Sequence, residues 1–265
     1  MLQRREAKRH TIFLYALGTG PSYRQPMKEI KSEKIENILI DCSIDILPEV
    51  LKQAQQVGIM SEKNNVIVTS LDLQTIDLEP YQFSGVNFTG VRLIDPESPL
   101  VNNTVWENKN EWGLDDPSQL RVEPALMYDA VQLFARAFKQ LKDAIKGDVK
   151  QLPCNGTMSW EHGYSLSNFM RLGEMEGLTG LIKFDTAGFR SDFHLDVIRI
   201  AEGGPKKIGV WNSTSPVAWI TEKHTQMSEE MSLVNRTFIV LIAIVRKHSS
   251  VLGIDTFTMT SRGEQ

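Results

Sequence analysis

Five tripeptides in this chain have the form Asn-x-Thr: Asn87-Phe88-Thr89, Asn102-Asn103-Thr104, Asn155-Gly156-Thr157, Asn212-Ser213-Thr214 and Asn235-Arg236-Thr237. Each fits the acceptor pattern for an N-linked glycan, in which the carboxamide nitrogen is the nucleophile and the hydroxyl two residues on is read with it. One such tripeptide arises readily by chance. Five, mostly in predicted loops or strand edges, point towards an extracellular surface, against the plain alternative of unmodified polar turns.

Other residue types that could do chemistry lack their companions. Gly18-Thr19-Gly20 follows an apolar strand as a dinucleotide loop would, but Tyr23 stands where the third glycine belongs and no clear helix signal follows. Asp72 with Asp77, and Asp192 with Asp196, could pair for acid–base work, yet neither pair has a companion base or metal ligand in sequence. Ser70 and Ser84 lack the Gly-x-Ser-x-Gly elbow. The histidines His10, His162, His194, His224 and His248 are scattered singly, and the two cysteines, Cys42 and Cys154, have no zinc-type spacing. These patterns predict no enzyme, no metal and no cofactor. Cys42 reads as a small apolar residue inside a strand. Cys154, in the polar stretch Leu152-Pro153-Cys154-Asn155-Gly156, is either a thiol seeking a partner outside this segment or an inert one.

Composition is that of an ordinary globular chain: 265 residues, 41% apolar, 23% charged, net charge −4. The lack of a basic excess argues against nucleic acid as a partner. No apolar run is long enough to span a bilayer. The longest, Phe238 to Val245, is about a strand long and lies between Arg236 and Arg246. Arg4, Arg5, Lys8 and Arg9 ahead of Ile12–Leu17 imitate a secretory leader only weakly, and an ordinary buried strand is the reading adopted.

The elements that must position these residues follow from periodicity. Ile12 to Leu17 predicts a strand, and 18–34 a turn-rich charged segment. Glu36–Cys42 predicts a strand buried on both faces. A helix carrying Ile46, Val50, Leu51, Ala54 and Val57 follows and ends at Gly58; then comes a parallel strand, Asn65–Ser70. Gly85–Asp95 predicts another strand, and 96–122 is polar and poorly periodic. Pro124 opens a helix whose stripe is Met127, Ala130, Val131, Phe134, Phe138 and Leu141; a looser helix spans Tyr164–Met175. Glu176–Asn212 predicts a meander of two or three strands, and 213–232 has a linker composition.

The order of residues in these blocks carries a resemblance. Gly-Leu-Thr-Gly at 177–180, Phe184-Asp185, Gly188-Phe189-Arg190, Leu195-Asp196-Val197-Ile198 and Ile208-Gly209-Val210-Trp211 resemble the closing hairpin of the type I periplasmic-binding-protein-like fold. Together with ILIDCS at 38–43, LKQAQQVGIMSEKNNVIVTSLDL at 51–73, LEPYQFSGVNFTGVRLID at 78–95 and EPALMYDAVQLFARAF at 123–138, they resemble the amino-terminal domain of kainate-type ionotropic glutamate receptors.

The resemblance implies an α/β chain that is incomplete: mostly the second lobe plus first-lobe helices. It implies an N-terminal strand and loop at 1–35 without clear assignment and a partial amino-terminal receptor domain at 36–212. Residues 213–265 would hold a linker, the start of a truncated agonist-binding domain and a divergent tail. The implied function is non-enzymatic: an extracellular domain serving subunit assembly and modulation in a glutamate-gated cation channel, at the plasma membrane of the synapse. The implied partners are other glutamate receptor subunits. In that family the cysteine matching Cys154 bonds to a first-lobe cysteine with no counterpart here, which implies an unpaired Cys154. The alternatives are a soluble small-molecule binding protein of the same fold, a truncated inactive product, and a nucleotide-dependent enzyme using Gly18 and Gly20. The large stripe of the 125–141 helix, lacking the first-lobe elements that would cover it, predicts that 100–170 is held more loosely than 36–95 and 176–212.

Overall fold

The computed structural model describes residues 3–7, 10–145, 160–201, 204–220 and 238–242. Strands β1 (Gln3–Ala7) and β2 (His10–Ala16) are followed by helix α1 (Arg24–Glu33), then β3 (Asn37–Asp41), α2 (Leu47–Val57), β4 (Asn65–Val68) and β5 (Asn87–Arg92). Helices α3 (Pro99–Glu107), α4 (Lys109–Trp112), α5 (Val122–Ala144) and α6 (Gly163–Leu172) come next. Strands β6 (Met175–Gly177), β7 (Gly180–Ile182), β8 (His194–Ala201), β9 (Gly204–Asn212), β10 (Ser215–Trp219) and β11 (Phe238–Ile242) complete the order.

Nine strands form one sheet in the order β1-β2-β11-β3-β4-β5-β8-β9-β10. Its centre, β2-β11-β3-β4-β5, is parallel, with the register Ile38↔Val66↔Phe88 fixed by the βαβ crossover. Strands β8, β9 and β10 add antiparallel beyond β5. The register matters because it aligns Ile38, Val66 and Phe88, and above them Ile40 and Val68, on one face. All five are buried against Met27 and Ile30 of α1 and Leu47, Val50, Leu51 and Ala54 of α2. Gly90 leaves room there: a Cβ would sit 2.1 Å from Leu73 Cδ2, so Leu73 packs directly on the strand backbone.

Several expectations give way. Burial along β3 alternates instead of being continuous, because the residues that pack with its buried face come from α1 and α2, leaving Asn37, Leu39 and Asp41 more open. The segment 18–34, read as turns, contains α1; its two buried residues are three apart, too few to register as a stripe among charges. The polar stretch 96–122 holds α3 and α4, with Pro99 in the first turn and only Val101, Thr104 and Val105 buried in α3. Glu176–Asn212 is not one meander. Strands β6 and β7 form their own two-stranded sheet, whereas β8 and β9 join the main one. Strand β10 falls within the stretch whose Ser/Thr content read as linker, and the apolar run at β11 pairs on both sides, with β2 and β3.

The second half of the chain packs around α5. Ile94, Val101, Val105, Leu120, Val122, Ala125 and Leu178 make one small core, Leu133, Met175 and Ile182 a second, and Ala137, Leu141 and Leu166 a third.

Candidate functional site

Helix α5 buries the stripe Val122, Ala125, Asp129, Leu133, Ala137 and Leu141. One member is a carboxylate, only 2% exposed, and that demands compensation. It comes from the β6–β7 turn. Asp129 Oδ1 accepts the Leu178 N–H at 2.7 Å, while Oδ2 accepts the Thr179 N–H at 2.9 Å and the Thr179 hydroxyl at 2.6 Å. Leu178 and Thr179 are the two turn residues, closed by the Gly177↔Gly180 pair. Gly177 is required by the approach itself, since a Cβ there would lie 2.5 Å from Asp129 Oδ1.

Arg190 closes the other side of the same turn. Its Nη1 donates to Thr179 Oγ1 at 2.8 Å, and Nη2 donates to the carbonyls of Thr179 at 2.7 Å and Leu181 at 2.9 Å. Burial holds the guanidinium below its ordinary pKa, with Asp129 and Glu176 acting in the opposite sense. With three donors on the carboxylate and carbonyls on the guanidinium, Asp129–Thr179–Arg190 locks a hairpin to a helix. It is a joint, not a catalytic group. Sequence reasoning passed over Asp129; the available signal was an acidic residue at helical spacing within a stripe of otherwise apolar residues.

The singled-out carboxylates serve separate structural ends. Asp72 Oδ1 accepts the N–H of Val122 at 2.7 Å and so caps α5, and burial raises its pKa. Asp77 turns back on Glu79 N–H at 2.9 Å. Asp192, at φ 57°, pairs with Lys183 at 3.2 Å. Asp196 sits between Arg92 Nε at 3.1 Å and Lys207 Nζ at 2.6 Å, with Asp95 on Arg92 Nη2 at 2.8 Å. That quartet ties β5, β8 and β9 across the sheet.

The plain-loop reading of Gly18-Thr19-Gly20 needs one correction, that a helix follows it. A helix does follow Gly20, but Tyr23 is buried and packs on it: a Cβ at Gly20 would meet Tyr23 Oη at 2.6 Å. The Tyr23 N–H donates to Gln53 Oε1 at 2.7 Å. Cys42 is a free thiol packed against the main core, and burial, aided by Asp41, pushes its pKa up to about 11.

Of the five sequons, three fall on described residues. Asn87 starts β5, where its Nδ2 donates to Asn65 Oδ1 at 2.9 Å; Asn65 Nδ2 in turn donates to Asn37 Oδ1 at 3.0 Å. Asn102 lies within α3, and Asn212 ends β9. Asn155, Asn235 and Cys154 lie outside the described residues.

The large stripe of α5 faces away from the joint. Met127 is 72% exposed, Val131 61% and Phe134 47%, with Phe138 stacked on Phe134 at 6.0 Å. The sequence reading expects this stripe to lack its cover; Met127, Val131 and Phe134 are exposed, whereas Leu141 of the same stripe is buried and Phe138 packs beside it. The two grooves of note are open: about 330 Å³ beside Glu33–Asn37, and about 300 Å³ lined by Leu133, Met170, Arg171 and Phe184.

Comparison with known proteins identifies the family. Residues 18–203 match the sequence profile of the receptor family ligand binding region. The chain belongs to that family. This receptor family is not an enzyme family, and its fold is periplasmic-binding-protein-like, with a mixed sheet and six α-helices among the described residues. The chain is similar to "Glutamate receptor ionotropic, kainate 1" of mouse, 38% identical over 242 residues, and to the human protein of the same name, 36% identical over 257. Each comparison covers 86% of this chain and 28% of the relative, so the chain spans little more than a quarter of the length of these receptors. Among the described residues no helix is long and apolar enough to cross a membrane.

Proposed function

We propose that this chain is part of the extracellular amino-terminal domain of a kainate-type, glutamate-gated cation channel subunit, serving subunit assembly and modulation of signalling. The observation that carries the reading is similarity over 86% of the chain to kainate 1 receptors of two mammals. The proposed organisation places the partial receptor domain at 36–212, after a short N-terminal segment at 1–35, with 213–265 leading towards an agonist-binding domain. Partners are other glutamate receptor subunits, and the location is the outer face of the plasma membrane.

The exposed α5 face supports this reading, because a face with Met127, Val131 and Phe134 in water is unusual for an isolated surface helix. The test is co-expression of the full chain, carrying a cleavable export leader, with the mouse kainate 1 subunit. Recovery of the chain with that subunit from surface-labelled cells is expected. Secretion of the chain alone, with none recovered on the subunit, contradicts the assembly role.

A further inference from the structure

We infer that the uncovered face of α5 docks a second copy of this chain, the two helices packing antiparallel through Met127, Val131, Phe134 and Phe138. The inference goes beyond the assembly reading above, which concerns receptor subunits, and stands without them.

The face is built as a seam. Its four large residues follow one another at spacings of four, three and four, the repeat that keeps a line of side chains turned towards a neighbouring helix. Met127, Val131 and Phe134 are exposed, and Phe138 is half-buried beside Phe134. Ala130 and Ala135, also exposed, flank the line and let a second helix come close. From Pro124 to Ala135 the one charged side chain is Asp129, and it is buried on the other side of the helix against the β6–β7 turn. The seam has definite ends. Pro124 precedes it, and Leu141, the next position of the repeat, is turned into the small core with Ala137 and Leu166.

Two features select a second copy, reversed. The midpoint of the seam lies between Gln132 and Leu133. Reversal about that point sets Val131 against the partner's Phe134 and Met127 against the partner's Phe138, so every layer joins an aliphatic side chain to an aromatic one. A parallel pair would instead stack Phe134 on its own copy and Val131 on its own, giving layers of unequal thickness. The second feature is charge. Glu123 lies in the first turn of α5 and Lys142 in the last, and both are exposed. Reversal brings each Glu123 level with the partner's Lys142 and opposes the two helix dipoles, whereas a parallel pair would set like beside like. Rim charges of this kind choose orientation more than they supply affinity. A seam of four layers is smaller than a standard interface, so the dimer is a weak one, with a dissociation constant on the order of 10 μM.

The test is sedimentation equilibrium of the purified full chain, with no receptor subunit present, from about 1 to about 100 μM. The expected result is a reversible monomer–dimer equilibrium. Val131→Lys should weaken it by about tenfold or more, with the thermal transition of the dilute chain unchanged. Val131→Gln, uncharged and compatible with a helix, is read in its place where Lys at 131 lowers that transition. Glu123→Lys and Lys142→Glu should each weaken the dimer, and the doubly substituted chain should recover it. Only a reversed pair recovers, since in a parallel pair each substitution merely exchanges one like pair for another. A chain that stays monomeric at the highest concentration overturns the inference, as does a dimer indifferent to substitution at Val131. A dimer indifferent to the charge exchange overturns the antiparallel order. Because no subunit enters the experiment, failure here is separate from failure of the assembly reading.

Discussion

Asp129 is the residue on which the second half of the chain hangs. Replacing it with Ala leaves the Leu178 and Thr179 amides and the Thr179 hydroxyl, on which Arg190 in turn leans, without their common acceptor. Breaking such a buried charged contact costs about 3–5 kcal/mol, read as a fall in the urea midpoint. Asp129→Asn should restore little, because its NH₂ would face a donor. Two other carboxylates predict opposite pH behaviour. Asp45 is held below its ordinary pKa by its hydrogen bond from Arg121, 2.7 Å away, and by that cation's charge. Its contribution is present above the unfolded pKa and is lost as pH falls through the folded one. Asp72 is raised by burial, so folding favours its protonated form; that advantage is full below the unfolded pKa and lost as pH rises through the folded one. Asp45→Asn should therefore lower thermal stability at neutral pH, by an amount that shrinks as pH falls through the lowered folded pKa. Asp72→Asn, which keeps an acceptor for Val122, should be neutral or stabilising at neutral pH. For Cys42, a pKa of about 11 leaves on the order of one thiol in a thousand ionised at pH 8. Its alkylation, followed on its own peptide, should be slow until the chain is unfolded.

Among the elements, α5 shows both how far sequence carried and where it stopped. Its extent was legible from Pro124 and apolar spacing, but not its orientation. The stripe of larger residues lacks its cover at Met127, Val131 and Phe134, as the sequence reading expects, while the face that packs carries Ala125 and Ala137 with Leu133 and Asp129. Periodicity weighs hydrophobic bulk and cannot weigh a carboxylate's hydrogen bonds to a turn some fifty residues away. Leu133→Ala should cost about 2–5 kcal/mol, whereas Met127→Lys and Val131→Lys, on the exposed face, should stay within about 0.5 kcal/mol and raise solubility. Limited proteolysis should cut within 100–170 before it cuts the β8–β9 hairpin; a first cut in that hairpin would show the order of stability to be wrong.

At the scale of the whole molecule, the βαβ unit from β3 to β4 was legible because strand and helix periods alternate cleanly there, and the closing hairpin because its residues resemble a known family. Two things were not legible. The insertion of β11 between β2 and β3 joins residues about two hundred positions apart, with only its apolar character as a clue. The separation of β6–β7 from β8–β9 follows from Asp129 drawing the first hairpin onto α5. What unites the receptor-family blocks is the seam where β5 pairs antiparallel with β8, braced by Arg92, Asp196, Lys207 and Asp95. That seam is tested most directly by pairing Val91→Cys with Val197→Cys, opposite each other in register, in a chain whose own cysteines are replaced by serine. An intramolecular disulfide should form in air without loss of the thermal transition. Failure of the folded chain to form it under oxidising conditions would mean that the βαβ unit and the closing hairpin do not share one sheet.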